Sequence, residues 1–201
     1  MELKLESDNI EDYLKEVPPI ILFDTPYVRE EILTIKASFA GDFERAEKAF
    51  EVARDDIHHS FDSGNKQIYI NAEEVLKSRE GICFAKAHLL ASLLRGMGIP
   101  CGFCYQKVLR KGTLESGYAL HGLNAVYLPE IGWFRVDPRG NKPGIDSRFT
   151  TGEEHLAYPI RTELGEIDYN VVLVEPLPSV IKSMKESKDC QHLFSARPAD
   201  L

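Results

Sequence analysis

Apolar residues recur at three- and four-residue steps behind Cys83, at Ala87, Leu90, Ala91, Leu94 and Met97. That spacing predicts a helix with a buried face that includes the thiol. The helix should follow a Gly-assisted turn at Gly81 and stop near Gly96 and Gly98, with Pro100 preventing continuation. A similar period at Phe43, Ala46, Ala49, Phe50, Ala53 and Ile57 predicts an amphipathic helix over 43–58, with Asp42 as its N-cap. Pro26 can open an earlier helix through Ile32, Leu33 and Ile35, after Val17-Pro18-Pro19 has broken anything before it. Asn71 and Glu74 have the spacing of a capping box in front of Val75 and Leu76.

Past residue 100 the pattern changes. Residues 101–109, 118–128 and 133–136 are rich in aromatic and branched side chains and predict strands, with turns at Lys111-Gly112 and around Glu130. Shorter β-like runs fall at 68–70 and 169–174, and Ser63-Gly64-Asn65 is a turn signal. Residues 137–144 form a Pro/Gly-rich loop, 145–165 are weakly patterned, and 179–194 predict a polar C-terminal helix. Helices first and strands afterwards imply an α+β fold, with helices packed on a mainly antiparallel sheet.

Composition narrows the function classes. A chain of 201 residues suits a single domain over 1–201, its core near 42–140 and extensions at both ends. The net charge of −8 argues against a nucleic-acid or anionic-membrane partner, which needs clustered Lys and Arg. Residues 1–8 lack an apolar signal core, and no apolar run is long enough to span a bilayer. The expectation is a cytoplasmic protein whose four cysteines are reduced. No cofactor or metal is expected. Cys101 and Cys104 form a CxxC without a second half-site, and alternation along a strand sends them to opposite faces. The acidic run at 151–155 lacks calcium-loop spacing and reads as a solvated turn. The oligomeric state stays open.

A helix that leads with a thiol has a chemical consequence. Free N–H groups and the dipole at its start favour thiolate and lower the thiol pKa from about 8.5. The alternative is that Cys83 is a small buried hydrophobe. A nucleophilic Cys83 needs a base. His88, five residues along the same helix, points away from the thiol. His121 is better placed, early in a strand and followed by Gly122. With a hairpin turn centred near residue 130, Asp137 falls opposite Leu123, which makes His121 and Asp137 diagonal neighbours on one face. A slip of one residue would separate them. In these roles Cys83 attacks a carbonyl, His121 moves the proton and Asp137 orients the imidazole. The Cys83 N–H supplies half of an oxyanion hole.

Residues 71–83, 87–94 and 96–100 resemble the opening of the transglutaminase-like core, and Gly132-Trp133-Phe134-Arg135-Val136-Asp137-Pro138 is similar to that family's closing Trp, Asp and Pro. His121 stands between them where the family has its histidine. The likeness covers about residues 45–140, with three motifs in the family's order. It implies a papain-like fold, a nucleophile helix packed on an antiparallel sheet, a Cys-His-Asp triad, and cleavage or transfer of amides. The family often has an aromatic residue after its histidine, where this chain has Gly122-Leu123-Asn124. Its upstream oxyanion residue aligns near residues 57–61. His59 and Gln67 are candidates for that donor, against the reading of His58-His59 as a surface pair. The expected function is a cysteine-dependent amide hydrolase acting on a peptide or amide. Acyl transfer to an amine, or a catalytically silent binding module, remain alternatives.

Overall fold

The computed structural model describes residues 2–201. The chain begins with β1 (Lys4–Leu5), α1 (Pro26–Ser38) and α2 (Asp42–Glu51), and α2 runs on as a π-helical turn over Val52–Asp56. Then come β2 (His58–His59), α3 (Ser60–Ser63), α4 (Ala72–Ser78), β3 (Glu80–Gly81) and α5 (Cys83–Gly96). Strands β4 (Cys101–Leu109), β5 (Tyr118–Leu128) and β6 (Gly132–Val136) follow. The chain continues through β7 (Ile167–Asp168), β8 (Val171–Val172), α6 (Pro178–Glu186) and α7 (Cys190–Ala196).

Helix α5 is the axis of the fold. Every residue from Cys83 to Arg95 is buried, and the helix packs against α1, α2, α4, β4 and β5. Its small residues Ala85, Ala87 and Ala91 allow close approach, while Leu89, Leu90, Leu93 and Leu94 fill the core. Removing one such leucine side chain costs about 2–5 kcal/mol. Arg95 is buried too, but it donates to the carbonyls of Cys101, Lys15 and Val174, which ties the end of α5 to the start of β4.

The main sheet is antiparallel in the order β6-β5-β4-β7. Gln106 faces His121 across β4 and β5, and Asn124 faces Val136 across β5 and β6. The long strands and α5 keep the bounds the pattern predicts, and the α+β architecture holds.

Other elements differ. Gly41, not Asp42, is the N-cap of α2, and regular helix ends at Glu51 instead of reaching residue 58. The buried Lys86 ammonium takes the carbonyls of Arg54 and Ile57, and His58 N–H donates to Arg79, so the chain leaves the helix there. Residues 68–70 form no strand, because Glu74 accepts from Ile70 N–H and His88 bonds the Ile70 carbonyl. The predicted strand at 169–174 is split: Tyr169 and Leu173 bond to β4, while β8 pairs with β1. The C-terminal helix is two helices, since Asp189 caps α7 by accepting from His192 N–H at 2.7 Å. In the acidic turn, Glu154 accepts from Arg135 at 2.9 Å.

Candidate active site

Local sequence delivers Cys83 to the start of α5. Arg79 ends α4 in the left-handed region at φ 58°, and two residues of β3 then lead into the helix. Ile82 offers no side-chain cap, so the first N–H groups of α5 are left to bond something else. β3 pairs in parallel with β2, and His59 faces Gly81. That bridge carries His59 to the same helix tip. The expectation of a surface pair therefore fails for one member: His58 is exposed and His59 is buried. Gln67 is not brought to the site. It lines a separate surface depression with Met184 and Lys188, and its carbonyl accepts from the Cys190 thiol.

His121 comes to the same site from β5. Its Nε2 lies 2.7 Å from Asp137 Oδ2, and the imidazole lines one cavity with the Cys83 thiol. Cys83 and His121 are each 2% exposed and Asp137 is 0% exposed. Gly122 makes this approach possible. A Cβ there would lie 2.7 Å from Phe84 Cδ1, so the residue after the thiol occupies the space beside the histidine strand.

The carboxylate of Asp137 is held from three sides. It accepts from His121, from Ala157 N–H at 2.9 Å and from Arg139 N–H at 3.1 Å. The Ser147 hydroxyl donates to its carbonyl. Tyr158 sets its ring edge-on to His121 at 4.8 Å, and its hydroxyl accepts from Arg139.

The charges respond to one another. Burial pushes the Cys83 thiol up, but the charge of His121, and after it that of Arg197, outweighs burial and leaves the thiol lowered. Burial disfavours the His121 cation, yet Asp137 and Cys83 hold it well above its ordinary value. Burial also opposes ionisation of Asp137, and His121 with the two amides overcomes it, so that carboxyl is lowered. The other thiols go the opposite way. Burial raises Cys101 to about 12 and Cys190 to about 11, and pushes Cys104 up as well. Cys101 and Cys104 sit in different apolar clusters, on opposite faces of β4. His59 is held well below its ordinary value, chiefly by burial and then by Arg139. It is therefore a neutral imidazole, and its Nδ1 has no hydrogen-bond partner.

Cys83, His121, His59 and Tyr158 line one cavity of about 220 Å³, closed on its other sides by Arg110, Arg139, Lys142, Phe194 and Arg197. Among the described residues, no group of three or more His, Cys, Asp or Glu is arranged to hold a metal ion, and no helix is long and apolar enough to cross a membrane. Sequence reasoning did not reach Ala157, Tyr158, Arg110, Arg139 or Arg197. Ala157 acts through its backbone, and no residue-type signal marks it.

The model of the transglutaminase-like superfamily matches residues 34–138, a span that contains Cys83, His121 and Asp137 and just over half of the 201 residues. The chain belongs to the transglutaminase-like superfamily. That family comprises cysteine-dependent hydrolases and acyltransferases. No curated protein matches the chain. A crystal structure from Cytophaga hutchinsonii, described as a putative cysteine protease, is similar with a TM-score of 0.51 at 14% identity. The alignment covers 66% of this chain and 43% of that one, so the chain spans less than half of that neighbour's length. At this identity the likeness is one of fold, helices packed on an antiparallel sheet.

Proposed function

We propose that this transglutaminase-like protein is a cysteine-dependent amide hydrolase, a peptidase or amidase that works through an acyl-enzyme. The observation that carries the reading is the place of His121, bonded through Nε2 to buried Asp137 at 2.7 Å while its ring lines the same cavity as the Cys83 thiol. A lowered thiol beside a raised imidazole favours the thiolate–imidazolium pair, the form in which a thiol acts as nucleophile.

The Cys83 thiolate attacks the amide carbon and forms an S–C bond. The carbonyl oxygen takes the negative charge and accepts from the N–H groups at the tip of α5. We assign the second donor to His59, whose neutral ring lines the same cavity. The C–N bond then breaks, and His121 gives its proton to the leaving amine. Water next attacks the thioester and His121 takes a proton from it. The S–C bond breaks and a carboxylic acid leaves, while His121 keeps the proton it took from water, so that thiolate and imidazolium are restored together. Asp137 fixes the imidazole orientation and stabilises its charged form. Residues 1–201 act as one domain in this reading. Four unpaired, buried cysteines fit a reducing cytoplasm.

The test is a panel of fluorogenic acyl amides, read together with intact-protein mass spectrometry. The expected result is a burst of leaving group and a transient acyl adduct on Cys83, both lost in C83A and H121A. Turnover that persists in C83A overturns the proposal.

A further inference from the structure

The cavity that holds Cys83 is walled by four cations, Arg110, Arg139, Lys142 and Arg197, and by one carboxylate, Asp62. This concentration of positive charge stands out in a chain whose net charge is −8. Asp62 is already used. It accepts from Arg139 and Lys142, each at 2.6 Å. Among the described residues, Arg110 and Arg197 have no carboxylate partner.

Arg197 is only 8% exposed. Its guanidinium rests over the rings of Phe194 and Phe61, at 4.8 and 5.2 Å, and its Nε donates to the Phe194 carbonyl at 3.4 Å. Arg110 follows β4. Its Nη2 donates to the Arg197 carbonyl at 3.3 Å, and its Nε is buried with no partner at all. Two like charges thus come from distant parts of the chain to one wall, against their mutual repulsion and the cost of desolvation. Arg110, Arg197 and the Cys83 thiol line the same cavity, and the Arg197 charge helps to lower that thiol. Buried guanidinium groups are ordinarily paired, and their planar fork matches a carboxylate.

We propose that Arg110 and Arg197 form an anion subsite beside Cys83, which selects amides whose acyl part carries a carboxylate on a short arm, such as a glutamyl or aspartyl group. The idea rests on the proposed hydrolase reading, because it assigns that enzyme's acyl specificity. The size of the cavity agrees. About 220 Å³ suits one short acyl arm and falls below the roughly 300–1,000 Å³ of pockets for drug-sized ligands.

An alternative role for Arg197 is to stabilise the thiolate alone. The experiment separates the two. Cys83 is alkylated with iodoacetate and with iodoacetamide, in wild type, R110Q and R197Q. Thiolate content affects both reagents equally and cancels in the ratio of their rates. The expected result is a ratio that falls about 10-fold or more in each variant, the scale of one lost hydrogen bond to a charged group. Glutamyl amides should likewise lose more kcat/KM than their neutral glutaminyl isosteres. R110Q alters a side chain at the end of β4, so it remains informative if R197Q folds poorly. An unchanged ratio in both variants overturns the subsite. A ratio that falls while no amide is ever turned over upholds the subsite and removes the hydrolase reading instead.

Discussion

His121 and Asp137 meet at 2.7 Å across neighbouring strands, with almost no solvent access to either side chain. Asn124 faces Val136 in the last ladder pair, so the next step would set Asp137 against Leu123, two residues from the histidine. The contact is diagonal, and it depends on the turn between β5 and β6 keeping that register. The same carboxylate accepts two backbone amides, which prevents it from turning away.

Substituting Asp137→Asn should be costly in a pH-dependent way. The Asp137 carboxyl is lowered from 3.8, so its contribution is present above that pH and is lost as pH falls through the folded value. His121 is raised from 6.5, so its contribution is complete below that pH and is lost as pH rises through its folded value. The advantage of wild type over D137N should peak between these limits and shrink on both sides. Urea unfolding from pH 3 to 10 reads this directly. At the peak about 1–3 kcal/mol is expected, since at least one buried donor loses its acceptor.

Gly122→Ala should push the helix tip away from the histidine strand. The added methyl would meet Phe84 at 2.7 Å, and Phe84 is itself buried. Overpacking of this kind costs about 1–3 kcal/mol. A lower Tm together with slower alkylation of Cys83 is the expected pair of results. A lower Tm with unchanged thiol reactivity would show that Phe84 yields without moving Cys83.

Lys86 offers a separate pH signature. Burial first, and then Arg139, lower its ammonium from 10.5 to about 7. Between those values the unfolded chain binds more protons than the folded one, so stability rises with pH across this window. The Lys86→Met variant should lack that rise. It also leaves the Arg54 and Ile57 carbonyls without their donor, which should loosen the π-helical turn leading to His59. Comparing urea midpoints of the two proteins at pH 6.5 and 9.5 gives the answer. The wild type should gain stability relative to K86M at the higher pH.

The sequence shows some of these features and hides others for physical reasons. Helix α5 was legible because its apolar residues keep helical spacing behind Cys83 and glycines mark its end. The meeting of His121 and Asp137 was legible because a hairpin register follows from the position of its turn. The end of α2 was not. It depends on an ammonium from α5, thirty or so residues away, capturing carbonyls that would otherwise continue the helix. Ala157 N–H was hidden because a backbone donor leaves no mark in residue type. Arg110 and Arg197 were hidden because only the folded chain brings β4 and α7 to one wall.

The central claim is that Cys83 is a thiolate because His121 faces it. The direct measurement is the rate of iodoacetamide alkylation at each cysteine, mapped by mass spectrometry from pH 5 to 9. Cys83 should label well below the pH at which Cys101, Cys104 and Cys190 begin to react, since burial pushes those three thiols up. His121→Ala should move Cys83 to the range of the others. Comparable labelling of all four cysteines, or a low-pH reaction at Cys83 that survives H121A, would contradict the account.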